Sequence, residues 1–274
     1  IPTFLQGNDQ LRPEVANTWT VGGVLTGRMG GAGTVRLSVD YYNIELDGAI
    51  STLGAQIIVS RCAQGVTSLC SLVTRGPTNQ LTQIVNQNLN LNTLKTRGFD
   101  IEFDYRVKLG ETQIGLRALA TITNDLITVD GTGVSIDRAG QNGSGVSQPS
   151  GVPDYSINGS FTAEHGPLFG SVQVRYIPEG RYQVTNIGPD EEGYHPTLPN
   201  SINNNRVAPV TYVNLNATYR IFERVGQKVE LFGVVNNLFD KDPPNQLPSS
   251  GGVTNTVIYD VLGRSYKMGI RFQF

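Results

Sequence analysis

The sequence contains no run approaching the roughly 18 consecutive apolar residues that a membrane helix needs, and its mean hydropathy is −0.18. A helical membrane protein is therefore excluded. A membrane β-barrel is not, because its strands need only about 10 residues of alternating character. Charge is scarce too: 16% of residues are charged and the net charge is −2. No basic face is available to track phosphates, which excludes nucleic acid as a partner. Cysteine and histidine occur twice each, and residues Ile1–Gly7 lack the charged start, apolar segment and cleavage site of a secretory signal. Glycine and proline are plentiful, at 32 and 14 of 274 residues, beside 38% hydrophobic residues. That mixture is too apolar for disorder and too even for a collagen-like or low-complexity chain.

The dominant pattern is period two. From Phe99 to Lys108 every odd position is apolar or aromatic and every even one charged, so the two sets point to opposite faces of an extended strand. Tyr155–Glu164, Val213–Ile221 and Tyr266–Phe274 alternate in the same way. The rule predicts about nine strands, near 16–28, 34–50, 81–107, 111–130, 153–165, 168–184, 210–223, 227–240 and 264–274, the third being one long strand or two. Short links fall at Arg28–Gly33, Lys108–Glu111, His165–Leu168 and Glu223–Gln227; long ones cover 51–80, 131–152, 185–209 and 241–263.

All short links thus lie at one end of the sheet and all long ones at the other. A soluble β-sandwich also alternates, but its strands run to about five or six residues and its Greek-key links do not sort by length. Outer-membrane barrels have short periplasmic turns, long outer loops and strands of ten or more residues. Tyr105, Tyr219, Phe222, Phe272 and Phe274 near the short-turn end, with Tyr176, Phe239 and Tyr266 near the other, fit two interfacial girdles. Asp100, Glu102, Asp104, Arg106, Arg117, Arg175, Arg220 and Arg271 suit a polar lumen. The fold class expected is all-β, an antiparallel transmembrane β-barrel. Single-chain bacterial barrels have even strand numbers, so an odd count with a descending last strand predicts an ascending strand before residue 1.

Several motifs resemble the TonB-dependent outer-membrane receptors. Asn8-Asp9-Gln10-Leu11-Arg12-Pro13-Glu14 with Thr18-Trp19-Thr20-Val21-Gly22 resembles the family's segment of type Asn-Pro-x-Leu-Lys-Pro-Glu, departing from it at Asp9 and Arg12. Asp40-Tyr41-Tyr42-Asn43-Ile44 is similar to its next strand, and Lys95-Thr96-Arg97-Gly98-Phe99-Asp100-Ile101-Glu102 to a strand in which Gly precedes an acidic run. The most specific match is Val235-Asn236-Asn237-Leu238-Phe239-Asp240-Lys241, followed by Asp260, Gly263-Arg264-Ser265-Tyr266, Gly269 and a terminal Phe274. In this order the motifs span nearly the whole chain.

The resemblance implies that residues 1–274 are the C-terminal portion, about nine strands, of a plugged barrel of roughly 22 strands, with the plug and earlier strands outside this sequence. It implies transport rather than catalysis: uptake of a scarce nutrient such as a ferric siderophore, corrinoid or oligosaccharide across the bacterial outer membrane. It also implies a TonB–ExbB–ExbD energy-transducing complex engaged through the N-terminal region, surrounding lipid and lipopolysaccharide, and no cofactor. Phe272 and Phe274 resemble the terminal signal read by the barrel-assembly machinery. The alternatives are a passive porin-like channel and an outer-membrane enzyme; His165 lies in a short turn and His195 has no recognisable catalytic constellation.

Cys62 and Cys70 follow an apolar stretch, Leu53–Val59, that suggests a short helix. Two free core thiols is one reading; export through an oxidising periplasm and a loop position favour a disulfide. A zinc site needs more ligands than two Cys with no His nearby, so no metal is expected. Arg181, Tyr182, Tyr194, His195 and Arg206 are the candidate ligand residues, lining a mouth for an anionic or sugar-like ligand, and Asp190–His195 is a candidate cation loop. Solvated loops collect such residues anyway. Pro243, Pro244 and Pro248 shape a loop, and the glycosylation-like Asn158-Gly159-Ser160 is discounted as mid-strand.

Overall fold

A computed structural model describes residues 2–29, 33–129, 133–143, 150–244 and 254–274. Its strands are β1 (Thr3–Gln6), β2 (Val15–Met29), β3 (Gly33–Ser51), β4 (Val73–Arg75), β5 (Leu81–Gln87), β6 (Leu89–Leu109), β7 (Thr112–Val129), β8 (Ser135–Asp137), β9 (Tyr155–His165), β10 (Leu168–Ile177), β11 (Gly180–Arg181), β12 (Arg206–Val207), β13 (Val210–Arg224), β14 (Gln227–Asn236) and β15 (Ser265–Gln273). Two helices, α1 (Ala55–Ala63) and α2 (Thr67–Cys70), follow β3. The main sheet has the order β15-β14-β13-β10-β9-β7-β6-β3-β2, with β8 added beside β7. Neighbours in this ladder are neighbours in sequence once the loop elements are set aside, which is up-and-down topology.

Turn chemistry explains the short links. Gly166 and Gly226 hold φ of 54° and 77°, a left-handed backbone that side chains resist, so His165 can face Leu168 and Arg224 can face Gln227 across tight hairpins. Residues 30–32 of the Arg28–Gly33 link lie outside the described residues, as do parts of the 131–152 and 241–263 loops, including Pro248.

Three expected strands differ in extent. The 81–107 stretch is two strands: β5 leaves the main sheet to pair in parallel with β1 and antiparallel with β4, through Ile84 in both cases. The 168–184 stretch ends as a main-sheet strand at Ile177, because Pro178 has no N–H to give the ladder; Gly180 and Arg181 pair with β12 instead. The 227–240 stretch stops at Asn236 because Asn237 turns left-handed, with φ 48°.

The contacts form two compact units, a smaller one built on Ile44–Lys95 and a larger one built on Trp19–Asn43, Thr96–Ile127 and Ile136–Phe274. Within the smaller unit, α1, α2 and β5 enclose a core of Ile58, Leu69, Leu72 and Ile84. Cys62 of α1 is joined to Cys70 at the end of α2 by a disulfide, closing a short loop around that core.

Within the larger unit the two faces of the sheet are sorted row by row. One register row runs Leu116–Phe161–Val172–Leu215–Val235–Tyr266 across six strands on one face. On the other face one row is Gly115–Thr162–Ser171–Asn216–Val234–Lys267. The large apolar side chains of the first face stay open: Leu116 is 43%, Phe161 44%, Ile270 53% and Tyr266 71% exposed. Among the described residues of this unit no second layer covers them, so a sandwich is excluded.

The polar face carries the expected charges as ion pairs: Arg117 with Glu102 at 3.0 Å, Arg220 with Glu164 at 3.2 Å, and Glu230 with Lys228 at 2.6 Å and Arg271 at 3.3 Å. Phe232, with Phe169 and Val234, is one of the apolar residues on this face. Its ring fills the space beside Gly269, where a Cβ would lie 2.8 Å from it, and Arg271 sits 5.5 Å from the ring centroid in a cation–π contact.

Aromatic side chains mark the two edges of the apolar band. Trp19, Tyr41 and Phe99 form a chain of ring contacts at 5.2 and 5.1 Å, and Tyr155 meets Tyr176 at 6.1 Å. Tyr219, paired with Leu168, lies beside the β9–β10 turn. Tyr176 is eight positions along β10 from Leu168, which at about 3.4 Å per residue and a tilt near 40° is roughly 21 Å along a barrel axis, close to a band about 25 Å tall.

Candidate ligand-binding site

Beyond the long-loop end of the larger unit, the segment between β10 and β13 doubles back through the β11–β12 pair, which sets Arg181 directly opposite Arg206. Both line a cleft of about 460 Å³, with Asp154, Glu179, Asp190 and Glu191 among its walls. Its size is that of a small-molecule site.

Neither arginine is free. Arg206 donates from Nε and Nη2 to the two carboxylate oxygens of Glu179 at 3.0 and 2.6 Å, a bidentate fork. Arg181 Nη2 lies 2.7 Å from Glu191 Oε1. The other Glu191 oxygen accepts the Gly188 N–H at 2.6 Å and the Asn205 side-chain amide at 3.4 Å. The Arg206 hydrogen bond holds the Glu179 carboxyl below the usual carboxylate range, and the Gly188 N–H, with Asn205 and Arg181, does the same for Glu191. Arg206 is raised in turn by Glu179.

The cleft rests on a rigid base. Ile177, Tyr182, Val207, Val210, Tyr212, Ile258 and Tyr259 form a buried cluster, in which burial pushes the Tyr259 phenol up to about 12. Buried amides cross-link the loops around it: Asn142 donates to the Pro178 carbonyl at 3.1 Å, Asn205 accepts from Gln183 N at 3.1 Å, and Asn255 donates to the Gly143 carbonyl at 2.8 Å. Satisfied by backbone on several segments, such amides fix one arrangement of the loops, since leaving any of them unpaired costs about 1–3 kcal/mol.

Of the five candidate ligand residues, Arg181 and Arg206 meet at the cleft. Tyr182 does not line the mouth: it is 3% exposed, because its backbone N–H bonds Asn205 and the strand alternation turns its ring away from Arg181 into the cluster. His195 is exposed with Nδ1 2.8 Å from Thr197 Oγ1, and neither it nor Tyr194 is among the cleft walls. In the Asp190–His195 loop, Glu191 is engaged by Arg181, and no group of three or more His, Cys, Asp or Glu able to hold a metal occurs among the described residues. Sequence reasoning missed Glu179, Asp154 and Asn205. The near-repeat Glu179-Gly180-Arg181 against Asn204-Asn205-Arg206, each ending in the paired arginine, was the available signal.

The terminal motif residues serve loop structure. Asn237 accepts the Lys241 N–H at 2.8 Å and donates to the Lys241 carbonyl at 3.0 Å, while Asp240 accepts the Arg264 N–H at 2.9 Å. Phe272 and Phe274 stack with centroids 6.3 Å apart on the open apolar face.

Residues 1–238 match the family model described as "TonB dependent receptor-like, beta-barrel". A comparison with curated protein sequences finds no match. Among solved structures, the ferric enterobactin receptor PfeA of Pseudomonas aeruginosa aligns with 99% of this chain at 16% identity and a TM-score of 0.62, over 33% of its own length. The outer membrane transporter YddB of Escherichia coli aligns with 99% at 11% identity and 0.61, over 34% of its length. The siderophore receptor PirA of Acinetobacter baumannii aligns with 98% at 16% identity and 0.56, over 33% of its length. At these identities the likeness concerns the fold, and the chain spans about a third of each.

Proposed function

Because this chain belongs to the TonB-dependent receptor β-barrel family, whose barrels lie in the bacterial outer membrane, we propose that it serves as the C-terminal third of a receptor for active nutrient uptake. The wall formed by β2 to β15 is completed by strands outside this sequence, since in hydrocarbon every strand edge needs a partner. A plug fills the polar interior, and the TonB–ExbB–ExbD complex supplies energy through the N-terminal region. Phe272 and Phe274 serve as the signal for the barrel-assembly machinery. The protein transports and does not catalyse.

The observation that carries this reading is the pairing of a two-faced wall with a preformed cleft at its long-loop end. A passive channel needs no fixed binding loops, whereas a receptor for a rare nutrient gains affinity from loops already ordered. PirA is a siderophore receptor and PfeA a ferric enterobactin receptor, which supports assaying ferric siderophores first, beside corrinoids and oligosaccharides. Uptake of radiolabelled members of each class by cells expressing the full receptor tests the reading. Accumulation of one class that disappears when TonB is deleted supports it; accumulation unchanged without TonB would make the protein a passive channel.

A further inference from the structure

Resting on the reading that the open face of β9, β10 and β13–β15 meets lipid, we propose that this face carries a binding site for one acyl chain of a phospholipid. The registers set Ala163, Gly170, Ala217 and Gly233 side by side across four strands. On one side of them runs the row Phe161–Val172–Leu215–Val235, and on the other Leu168, Tyr219 and Leu231. Small residues between two rows of large ones make a trough. A hollow of about 810 Å³ opens along it, with Phe161, Leu215 and Tyr266 among its walls.

The two glycines are not explained by packing within the chain. Glycine weakens a strand interior, and there it often marks a bulge or a place where another group approaches closely. Two other wall glycines have such a neighbour: a Cβ on Gly115 would lie 2.6 Å from the Thr162 side chain, and one on Gly269 2.8 Å from Phe232. At Gly170 and Gly233 a Cβ would meet nothing within 4 Å. Neither has a left-handed backbone, and the register runs unbroken through both, the shift in β13 lying farther on, at Arg220–Phe222. The space they leave is open to a group from outside.

Depth and width select the occupant. Ala163 is two positions from the His165 end of β9, and Gly233 six from the Gln227 end of β14. At about 3.4 Å per residue and a tilt near 40°, the trough climbs from roughly 5 Å to roughly 16 Å above the short turns. That is the depth of one leaflet in a hydrocarbon core about 30 Å thick, on the periplasmic side, where the lipid is phospholipid. The trough is a single row wide, so a helix about 10–12 Å across would ride on the flanking side chains. A second barrel wall would bridge them in the same way. A flexible acyl chain reaches the floor and recovers the dispersion contacts that an unfilled hollow forfeits.

The test uses the full receptor inserted into vesicles of phosphatidylethanolamine with a minor share of lipopolysaccharide, then released into mild detergent and weighed by native mass spectrometry. One phosphatidylethanolamine is expected to stay with each receptor. In a Gly170→Leu/Gly233→Leu variant, which fills the trough, the retained lipid should fall about tenfold. Val174→Leu, on the same face beyond the Phe161 row, should keep it. Insertion is scored in parallel by heat-dependent migration on gels, and if the double variant fails to insert, Ala217→Leu is read in its place. Inserted receptor that retains no lipid, retains lipopolysaccharide instead, or holds phosphatidylethanolamine equally well with the trough filled would overturn the acyl-chain site and leave the barrel reading standing. An unaltered receptor that stays in solution and does not insert would overturn both.

Discussion

The wall and the loop base of the larger unit place the same residue types in opposite surroundings. Ile270 in β15 is 53% exposed and Ile258 in the last long loop 7%; Tyr266 is 71% exposed and Tyr259 3%. Apolar groups face outward along the strands and inward beyond them. Since burial of apolar surface from water is the dominant drive in folding, the reversal implies that two solvents meet this chain. Lipid covers the outer face of the strands, and water covers the loops.

The largest effect separating the two regions should come from trimming one isoleucine in each. Ile177→Ala, in the buried cluster, is expected to cost about 2–5 kcal/mol and raise hydrogen exchange throughout 178–209. Ile270→Ala should cost less than about 0.5 kcal/mol in detergent. Comparable losses at both sites would mean that the strand face is packed against protein.

Charge sharpens the contrast. Phe161→Lys on the open face should destabilise the barrel by about 2–4 kcal/mol in bilayers, and Ser160→Lys on the polar face by little, as measured by urea unfolding in vesicles. Equal effects would erase the distinction between lipid and lumen.

The smaller unit stabilises its loops by a third means. Replacing Cys62 and Cys70 with Ser should cost it about 2–3 kcal/mol in the chain-entropy account of a short loop, visible as faster proteolysis between residues 52 and 88 and unchanged exchange in β13–β15. Asn237→Ala should cost about 1–2 kcal/mol, losing two hydrogen bonds and straining a left-handed residue; Asn237→Gly, which relieves the strain, should cost less.

The smallest effect is acid loosening of the cleft. Glu179 and Glu191 titrate below the usual carboxylate range when folded, so their contribution is present above the unfolded value near 4.3 and is lost as pH falls through the depressed folded one. Exchange protection factors at 183–191 should hold from pH 7 to about 5 and drop only in stronger acid. A loss near pH 6 would point to other groups.

The strands were legible because alternation is local: β2, β3, β7, β9, β13 and β15 fall within a few residues of their expected limits. The pairing of β5 was not legible. Leu81–Gln87 runs on toward the alternating strand that starts at Leu89, and only the tertiary core around Ile84 shows that it belongs to the disulfide-bearing unit. Pro178 was a stop signal that the expected 168–184 strand ran through. At the site, the sequence marked Arg181 and Arg206 by type and, in the near-repeat that ends on each, hinted at their pairing, but it did not assign Glu179 to Arg206 or turn Tyr182 inward. Those depend on the β11–β12 register, set by loops that meet from distant parts of the chain.

The central claim, that the apolar face of the wall meets lipid, is tested most directly by nitroxide labels at single introduced cysteines in the reconstituted receptor. Labels at Phe161, Val172, Leu215 and Val235 should be open to dissolved oxygen and closed to a water-soluble nickel chelate, with the reverse at Ser160, Gln173, Asn214 and Asn216. Labels at the first set that are open to nickel, or closed to both reagents, would contradict it.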